Sequence, residues 1–211
     1  FIYRLTNTFG KWCKPNYNSV VGTFCYNIAH ELPIQINDSS TKLKLVYIDD
    51  VISEFLRAIQ SEESGLIWGS IEPEYHITLG ELASQIEAFK SCRSSLISER
   101  VGSGIIKCLY STYVSYLSPD HFKYDLPLYA DERGSFGEVL KTHDSGQFSY
   151  FTAHPGVTRG GHYHHTKTEK FLVVKGSARF GFRHIITNQT HQIITSSEKP
   201  QIVETVPGWT H

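Results

Sequence analysis

The 211-residue sequence contains no methionine and only four cysteines, which are Cys13, Cys25, Cys92 and Cys108. The cysteines are sparse, irregularly spaced and form no C-x-x-C pair, which argues against a disulfide framework and a dithiol redox motif. This usage favours a reducing compartment, and we expect the protein to be cytoplasmic. Because the chain begins without methionine in a strand-like segment and ends on a candidate metal ligand, we expect it to be a fragment of a longer protein.

An excess of charge and a long apolar run are also missing. The 20 Lys and Arg residues balance the 21 Asp and Glu residues, and no basic run occurs, which argues against a nucleic-acid partner. No apolar stretch approaches the roughly 18 residues of a membrane helix. The first residues, Phe1–Leu5, lack the form of a signal peptide. The composition therefore predicts neither a nucleic-acid partner nor a membrane partner.

Two histidines and a glutamate form a compact group of potential metal ligands. His162 and His164 are two positions apart, so in an extended strand both imidazoles point to the same face. Glu169 follows a short polar segment and precedes the apolar run Phe171–Val174, which is typical of a buried strand. Imidazole nitrogens and a carboxylate oxygen suit zinc and other divalent first-row metals. His211 is a fourth candidate ligand.

The first part of the sequence alternates strand-like and helix-like segments, a pattern typical of an α/β fold. The predicted elements begin with a strand at 1–5, a turn at 7–10, a helix at 19–30 and a strand at 43–48. A second helix opens with Asp49 and Asp50 and has Val51, Phe55 and Ile59 on one face. A third helix opens with the capping box Thr78-Leu-Gly-Glu81. Asp49 and Asp50 could be paired catalytic carboxylates, but an N-cap followed by a first-turn acid explains them more simply.

After about residue 118 the pattern changes to short strands separated by turns. The predicted strands are 139–140, 147–152, 171–174, 178–186 and 201–206. Such spacing is typical of a β-sandwich or barrel. The aromatic segment Leu109–Pro119 is the predicted connector, and we expect it to pack against the protein. These patterns predict an α/β domain over residues 1–118 and an all-β domain, truncated at its end, over residues 119–211.

The ligand group resembles the first signature of the cupin family. The residues that fit this signature at every spacing are Gly156, His162, His164, Glu169 and Gly176. The second signature is met in part, because Pro207 and Gly208 are adjacent instead of separated while His211 keeps its spacing from Gly208. The resemblance implies a double-stranded β-helix, or jelly roll, in which the metal ligands are His162, His164, Glu169 and His211.

Three motifs of the first part resemble the C-terminal half of the extended short-chain dehydrogenase/reductase family. They are Arg4-Leu-Thr-Asn7-Thr-Phe-Gly10, Tyr47-Ile-Asp-Asp-Val51 and Thr78-Leu-Gly-Glu81. This resemblance implies that residues 1–118 are the substrate-binding part of a Rossmann-type domain. It also implies that Asn7 lies against a nucleotide-sugar substrate.

The order of a reductase half and a cupin resembles, along essentially the whole sequence, a family of bifunctional enzymes of bacterial capsule and lipopolysaccharide synthesis. The segments that carry this resemblance are Phe9–Val20, Leu109–Tyr113 and Arg133–Phe136. In that family the cupin epimerises C3 of a UDP-linked 4-keto-6-deoxy-N-acetylamino sugar, and the reductase domain reduces the C4 ketone with NADPH. The resemblance implies the product UDP-2-acetamido-2,6-dideoxy-L-talose in the N-acetyl-L-fucosamine pathway, a zinc or other divalent metal cofactor, and a homodimer.

Two reductase motifs are absent from these residues. A Gly-x-x-Gly-x-x-Gly phosphate loop is missing, because Gly102-Ser-Gly104 lacks the third glycine and a preceding strand. The reductase Tyr-x-x-x-Lys motif is missing as well, and Tyr163 and Lys167 have this spacing by coincidence inside the metal motif. We therefore expect no reduction by this sequence alone, and NADPH is expected as a cofactor of the complete parent.

Other polar residues are candidates for contacting the substrate. Candidates for binding a UDP-linked amino sugar are Asn7, Lys14, Asn16 and Asn18, although the asparagines could instead form turns beside Pro15. Epimerisation beside a ketone requires a base and an acid. His165 is the candidate base, and Tyr163 is the candidate acid.

Two other functions remain open. The chain could be a different metal-dependent cupin, either an oxygenase or an isomerase, which redox-active iron or manganese would favour. It could also be a non-catalytic sugar-binding or dimerisation module with a structural metal, which a closed four-ligand shell would favour.

Overall fold

The computed structural model describes all 211 residues, which form two compact units. The first unit comprises Phe1–Tyr129 and Phe136–Phe151, and the second comprises Ala130–Ser135 and Thr152–His211. The predicted boundary between an α/β domain ending at residue 118 and an all-β domain beginning at residue 119 stays a prediction.

The first unit mixes helices and strands. Its helices are α1 (Val20–Ala29), α2 (Ile48–Gln60), α3 (Leu79–Ser95) and α4 (Gly104–Val114), and a 3₁₀ turn spans Pro119–His121. Its strands are β1 (Ile2–Tyr3), β2 (Asn7–Phe9), β3 (Lys42–Tyr47), β4 (Trp68–Gly69), β5 (Tyr75–Thr78), β6 (Ile97–Ser98), β7 (Leu128–Asp131), β8 (Gly134–Thr142) and β9 (Gln147–Phe151), with residues 130–135 of β7 and β8 counted in the second unit. None of the helices combines the length and apolar character that crossing a bilayer requires.

Three small sheets organise the first unit. Strand β3 pairs in parallel with β2 and antiparallel with β5, and β1 pairs in parallel with β4. Strand β8 pairs in parallel with β6 and antiparallel with β9, and β7 is its third hydrogen-bonded neighbour. Parallel pairs joined through helices are the mark of an α/β arrangement.

The core of the first unit lies among α1, α3, α4 and the β2–β3–β5 sheet. Its fully buried side chains include Phe9, Leu45, Leu82, Ile86, Phe89 and Leu109. Each such side chain contributes about 1.5–3 kcal/mol by leaving water. The segment predicted as a connector belongs to this core, since Leu109 and Tyr113 lie one turn apart on α4 and are both buried. The expectation that this segment packs against the protein is confirmed, but residues 109–114 belong to a core helix and are not a connector.

The helix starts follow the sequence signals closely. Ser19 caps α1 by accepting a hydrogen bond from the backbone N–H of Gly22 at 3.2 Å. The predicted capping box of α3 is confirmed, because Thr78 Oγ1 accepts from the Glu81 N–H at 3.2 Å and the Glu81 carboxylate accepts from the Thr78 N–H at 2.8 Å.

Two local predictions in this unit were wrong. Asp49 is not an N-cap, because α2 already begins at Ile48 with Tyr47 in the cap position, so both aspartates lie in the first turn. The residues predicted as a turn at 7–10 instead form β2, which pairs with β3. On α2, Val51 is buried, whereas Phe55 and Ile59 are 40% and 79% exposed.

The second unit contains only strands. They are β10 (Lys170–Leu172), β11 (Ser177–His184), β12 (Thr190–Ser196), β13 (Ile202–Glu204) and β14 (Trp209–Thr210). Strand β10 pairs antiparallel with β13, and β11 pairs antiparallel with both β12 and β14. Strand β12 was not predicted. An α/β part followed by an all-β part confirms the predicted fold class.

Candidate metal centre

Backbone hydrogen bonds bring His211 beside the His-x-His segment. The N–H of His211 donates to the carbonyl of His162 at 2.9 Å, and the N–H of Gly208 donates to the carbonyl of His164 at 3.1 Å. The N–H of Gly161 donates back to the His211 carbonyl at 2.7 Å. These hydrogen bonds hold residues 162–164 beside residues 208–211 without forming a regular strand. The rings of His162 and His164 still lie close together, as expected for side chains on one face.

A glycine permits this close approach. Gly160 has a φ of +104°, and a Cβ atom at this position would lie 2.6 Å from the carbonyl oxygen of His211. Any other residue would be strained by its φ and would collide with the main chain it faces. The local sequence Gly160-Gly161 thus allows the chain to meet the 208–211 segment.

The β10–β13 ladder places Glu169 at the same cluster. Lys170 pairs with Glu204, so Glu169 stands just beyond the end of this ladder, opposite Thr205. The carbonyl of Glu169 accepts from the Thr205 N–H at 2.9 Å, and the N–H of Glu169 donates to Thr205 Oγ1 at 2.9 Å.

The four predicted ligands converge. One nitrogen from each of His162, His164 and His211 and one oxygen of Glu169 all lie within 4.8 Å of one another. The His162 ring centroid is 5.0 Å from that of His164 and 4.9 Å from that of His211. The Nε2 atom of His211 lies 3.0 Å from Oε2 of Glu169 in a hydrogen bond.

One nitrogen of the cluster lacks a hydrogen bond. Nε2 of His164 is buried and has no hydrogen-bond partner. The carboxylate atom Oε2 of Glu169 is 3.4 Å away, close enough for electrostatic contact but outside hydrogen-bonding geometry. Buried polar atoms are nearly always satisfied, so this nitrogen marks the cluster as a place for a further partner.

The charge of Glu169 suits a metal ligand. Partial burial acts to raise the pKa of Glu169, but hydrogen bonds from Lys167 and His211 outweigh it and leave the pKa below its usual range. Lys167 Nζ lies 2.6 Å from Oε1, while Oε2 faces the histidines. The carboxylate is therefore an anion with one oxygen directed into the cluster.

The cluster is closed on one side and open on the other. The aromatic rings of Phe171 and Phe182 each lie 6.4 Å from the His211 ring, and the His211 side chain is only 9% exposed. His162 is exposed. A molecule from solvent would therefore reach the cluster from the His162 side.

The predicted base and acid are neighbours of each other. The rings of Tyr163 and His165 lie 5.2 Å apart in an edge-to-face arrangement, and both residues are exposed. They alternate with His162 and His164 along the chain, and neither belongs to the group of four converging side chains.

The predicted substrate residues lie in the first unit. Asn7 begins β2, and Asn18 is exposed in a turn before α1. The Lys14 ammonium lies 5.0 Å from the Tyr17 ring centroid. Asn16 has a φ of +53°, and its amide donates to Asn27 Oδ1 at 3.2 Å, so this side chain has a role in the turn.

Sequence reasoning missed two residues at the centre. The spacing of Lys167 from Tyr163 was judged a coincidence, and the pairing of Lys167 with Glu169 was not predicted. Thr205 carried no signal of its own in the sequence, where it stands between Glu204 and Val206. The pairing of Thr205 with Glu169 cannot be read from spacing, because 36 positions separate the two residues.

Comparisons with known proteins agree with this architecture. Residues 129–211 match the family model described as the polysaccharide biosynthesis C-terminal domain. Over its full length the chain is 59% identical to the UDP-2-acetamido-2,6-beta-L-arabino-hexul-4-ose reductase of Pseudomonas aeruginosa strain PA103, and it spans 57% of that protein.

Solved structures show the same likeness. The capsular polysaccharide assembling protein CapF from Staphylococcus aureus is 43% identical, with a TM-score of 0.92 over the whole chain and 59% of CapF. CapF with the inhibitor 3-isopropenyl-tropolone matches with the same identity and TM-score, over 61% of its length. These matches confirm the resemblance drawn from the sequence, and the chain spans about three fifths of the relatives it matches.

Proposed function

We propose that His162, His164, Glu169 and His211 bind a divalent metal ion, with zinc as the first choice. The buried and unpartnered Nε2 atom of His164 supports this, because a metal ion would satisfy it. The convergence of three imidazoles and one carboxylate within 4.8 Å supports it further. This donor set is one that zinc and other divalent first-row metals accept. The residues present therefore fit the ion.

We propose that the second unit epimerises C3 of a UDP-linked 4-keto-6-deoxy-N-acetylamino sugar. The observation that carries this proposal is a cluster of four ligands that is open to solvent on the His162 side. The similarity to CapF and to a reductase named for a UDP-linked 4-ketose supports the substrate class. A bound divalent metal would supply Lewis-acid polarisation of the ketone. A ketone at C4 acidifies the proton on C3, so a base and an acid complete the inversion.

The proposed base is His165, and the proposed acid is Tyr163. The imidazole accepts the C3 proton, and the phenol returns a proton to the opposite face of the same carbon. Both side chains are exposed and their rings are in contact. Because C3 is bonded to C4, whose oxygen the metal would polarise, the assignment requires His165 and Tyr163 to reach the ligand cluster and flank C3 when the substrate binds, which variants of each residue test.

Hydrogen exchange at C3 of the keto sugar in D₂O, followed by NMR, tests the proposal. We expect metal-loaded protein to exchange this proton and His165→Asn to lose at least about 100-fold in rate. His191→Asn is a control, since His191 is an exposed residue of β12. Full exchange by His165→Asn, with none by His162→Ala, would contradict the assignment of His165. No exchange by metal-loaded protein would instead favour a sugar-binding or dimerisation module with a structural metal.

We propose that reduction at C4 with NADPH, giving UDP-2-acetamido-2,6-dideoxy-L-talose in the N-acetyl-L-fucosamine pathway, is an activity of the whole protein. The reductase name of the 59% identical relative supports this, and the chain spans 57% of that relative. In the first unit, Asn7, Lys14 and Asn18 are the proposed contacts to the UDP-linked sugar, and Asn16 is the weakest candidate because Asn27 engages it. No NADPH oxidation by these 211 residues with the keto sugar is the expected result.

We also propose a homodimer. The resemblance of the second unit to the cupin family, whose members commonly associate as dimers, supports it. Light scattering should give twice the 24.0 kDa chain mass, and a monomer at all concentrations would contradict it.

A further inference from the structure

The β10–β13 ladder ends in an irregular way beside the metal ligands. Lys170 and Glu204 are the last regular pair, and Glu169 and Thr205 would come next. In a regular hydrogen-bonded antiparallel pair, each residue donates its N–H to the other's carbonyl. Here the N–H of Thr205 donates to the Glu169 carbonyl, but the N–H of Glu169 donates to Thr205 Oγ1. The Thr205 hydroxyl therefore accepts the hydrogen bond that the Thr205 carbonyl would accept in a regular pair.

The position of Thr205 makes this hydrogen bond a firm one. Thr205 is only 1% exposed, so water does not compete for its hydroxyl. The two bonds, each 2.9 Å, hold Glu169 by both its carbonyl and its N–H. From this fixed backbone the carboxylate reaches the ring nitrogens of His164 and His211, at 3.4 and 3.0 Å.

We propose that Thr205 is a positioning residue of the metal centre. Its hydroxyl ends the ladder at Glu169 and aims the Glu169 carboxylate at the three histidines, without touching metal or substrate itself. This inference rests on the proposed metal centre. Groups just outside the ligand shell commonly change metal affinity by about 10–100-fold, because they orient the ligands.

The second unit offers a matched control. Thr195 of β12 is also buried, but its Oγ1 has no hydrogen-bond partner. Replacement by valine removes a buried hydroxyl in both cases at nearly constant shape. Only at Thr205 does the change release the N–H of a metal ligand.

The test compares Thr205→Val, Thr205→Ser and Thr195→Val in the full chain. The zinc dissociation constant is measured by competition with a chromophoric chelator, and the ligand geometry by the visible spectrum of the cobalt(II)-loaded protein. We expect Thr205→Val to weaken zinc binding at least about tenfold and to change the cobalt spectrum. Thr205→Ser retains the acceptor and should stay within about threefold of the parent, as should Thr195→Val.

Several outcomes would overturn the inference. A folded Thr205→Val protein with the parent's zinc affinity and cobalt spectrum would do so, as would an equal loss in Thr195→Val. Should Thr205→Val fail to fold by circular dichroism, Thr205→Ser decides, since a tenfold loss with the hydroxyl retained contradicts the proposed role. If the parent protein binds no metal, the proposed metal centre itself is wrong. If the parent binds zinc and Thr205→Val binds it equally well, only the role of Thr205 is wrong.

Discussion

The Nε2 atom of His211 lies 3.0 Å from Oε2 of Glu169, although 42 positions separate the two residues in the sequence. Two separate pairings produce this contact. The 208–211 segment is hydrogen-bonded to His162 and His164, and Thr205 is hydrogen-bonded to Glu169. The cluster therefore depends on the main-chain pairing of residues 161–170 with residues 202–211, and its stability should respond to changes in that pairing.

Gly160→Ala should destabilise the second unit and weaken metal binding. The new side chain meets a positive φ and the carbonyl of His211, where backbone strain alone costs about 1–3 kcal/mol. Gly156→Ala is the control, because Gly156 also has a positive φ but its Cβ would meet nothing within 4 Å. Thermal unfolding and zinc titration should show a larger loss for Gly160→Ala, and equal losses would contradict the close approach.

Removal of the α3 cap should cost more than removal of the corresponding residue at α4. Thr78→Ala deletes a hydroxyl that accepts from the Glu81 N–H, and such a loss costs about 1 kcal/mol. Ser103 is the N-cap of α4 but its side chain makes no capping hydrogen bond, so Ser103→Ala should stay within about 0.5 kcal/mol of the parent. Urea unfolding of both variants measures the difference, and a Ser103→Ala penalty as large as that of Thr78→Ala would contradict it.

The hydrogen-bonded pair of Glu99 and His143 should stabilise the first unit in a pH-dependent way. Its 3.0 Å hydrogen bond holds the pKa of Glu99 below the usual range. Because folding lowers this pKa, the contribution is complete above the unfolded value of about 4.3 and fades as pH falls through the folded pKa. Glu99→Gln should therefore cost up to about 1 kcal/mol at pH 7.

The loss from Glu99→Gln should shrink in acid, well below the unfolded pKa. Urea unfolding at neutral and acidic pH measures this change. Exposed Glu87, which is in no ion pair, provides the control variant Glu87→Gln. A loss from Glu99→Gln that is the same at both pH values would show that the pair acts through packing instead of charge.

The sequence was informative where the physical signal is local. The capping box at Thr78 and the i, i+2 spacing of His162 and His164 act over a few residues, and the structure contains both features. The start of α2 was misplaced because aspartates favour the N-cap and the first turn alike, and only the backbone shows that Tyr47 is the cap. The aromatic segment after residue 109 was predicted as a connector, although Leu109 and Tyr113 are spaced one helical turn apart and both are buried on α4.

The hydrogen bonds that position Glu169 in the candidate metal centre could not be predicted, because they depend on pairing between distant strands. The register of β10 with β13 decides that Thr205, and not a neighbour, faces Glu169. A shift of one residue would exchange the faces of the whole strand. The salt bridge from Lys167 likewise depends on the path of the loop before β10.

Metal content is the measurement that tests the central claim most directly. The purified chain, His162→Ala and Glu169→Ala would be compared by elemental analysis after equilibration with zinc and removal of loosely bound ions, with His191→Asn as the control. We expect one zinc per chain in the parent and the control, and loss of most of it in both ligand variants. A parent chain without bound metal under any condition would contradict the account, and His162 and His164 would then have to act directly as acid, base or substrate-binding residues.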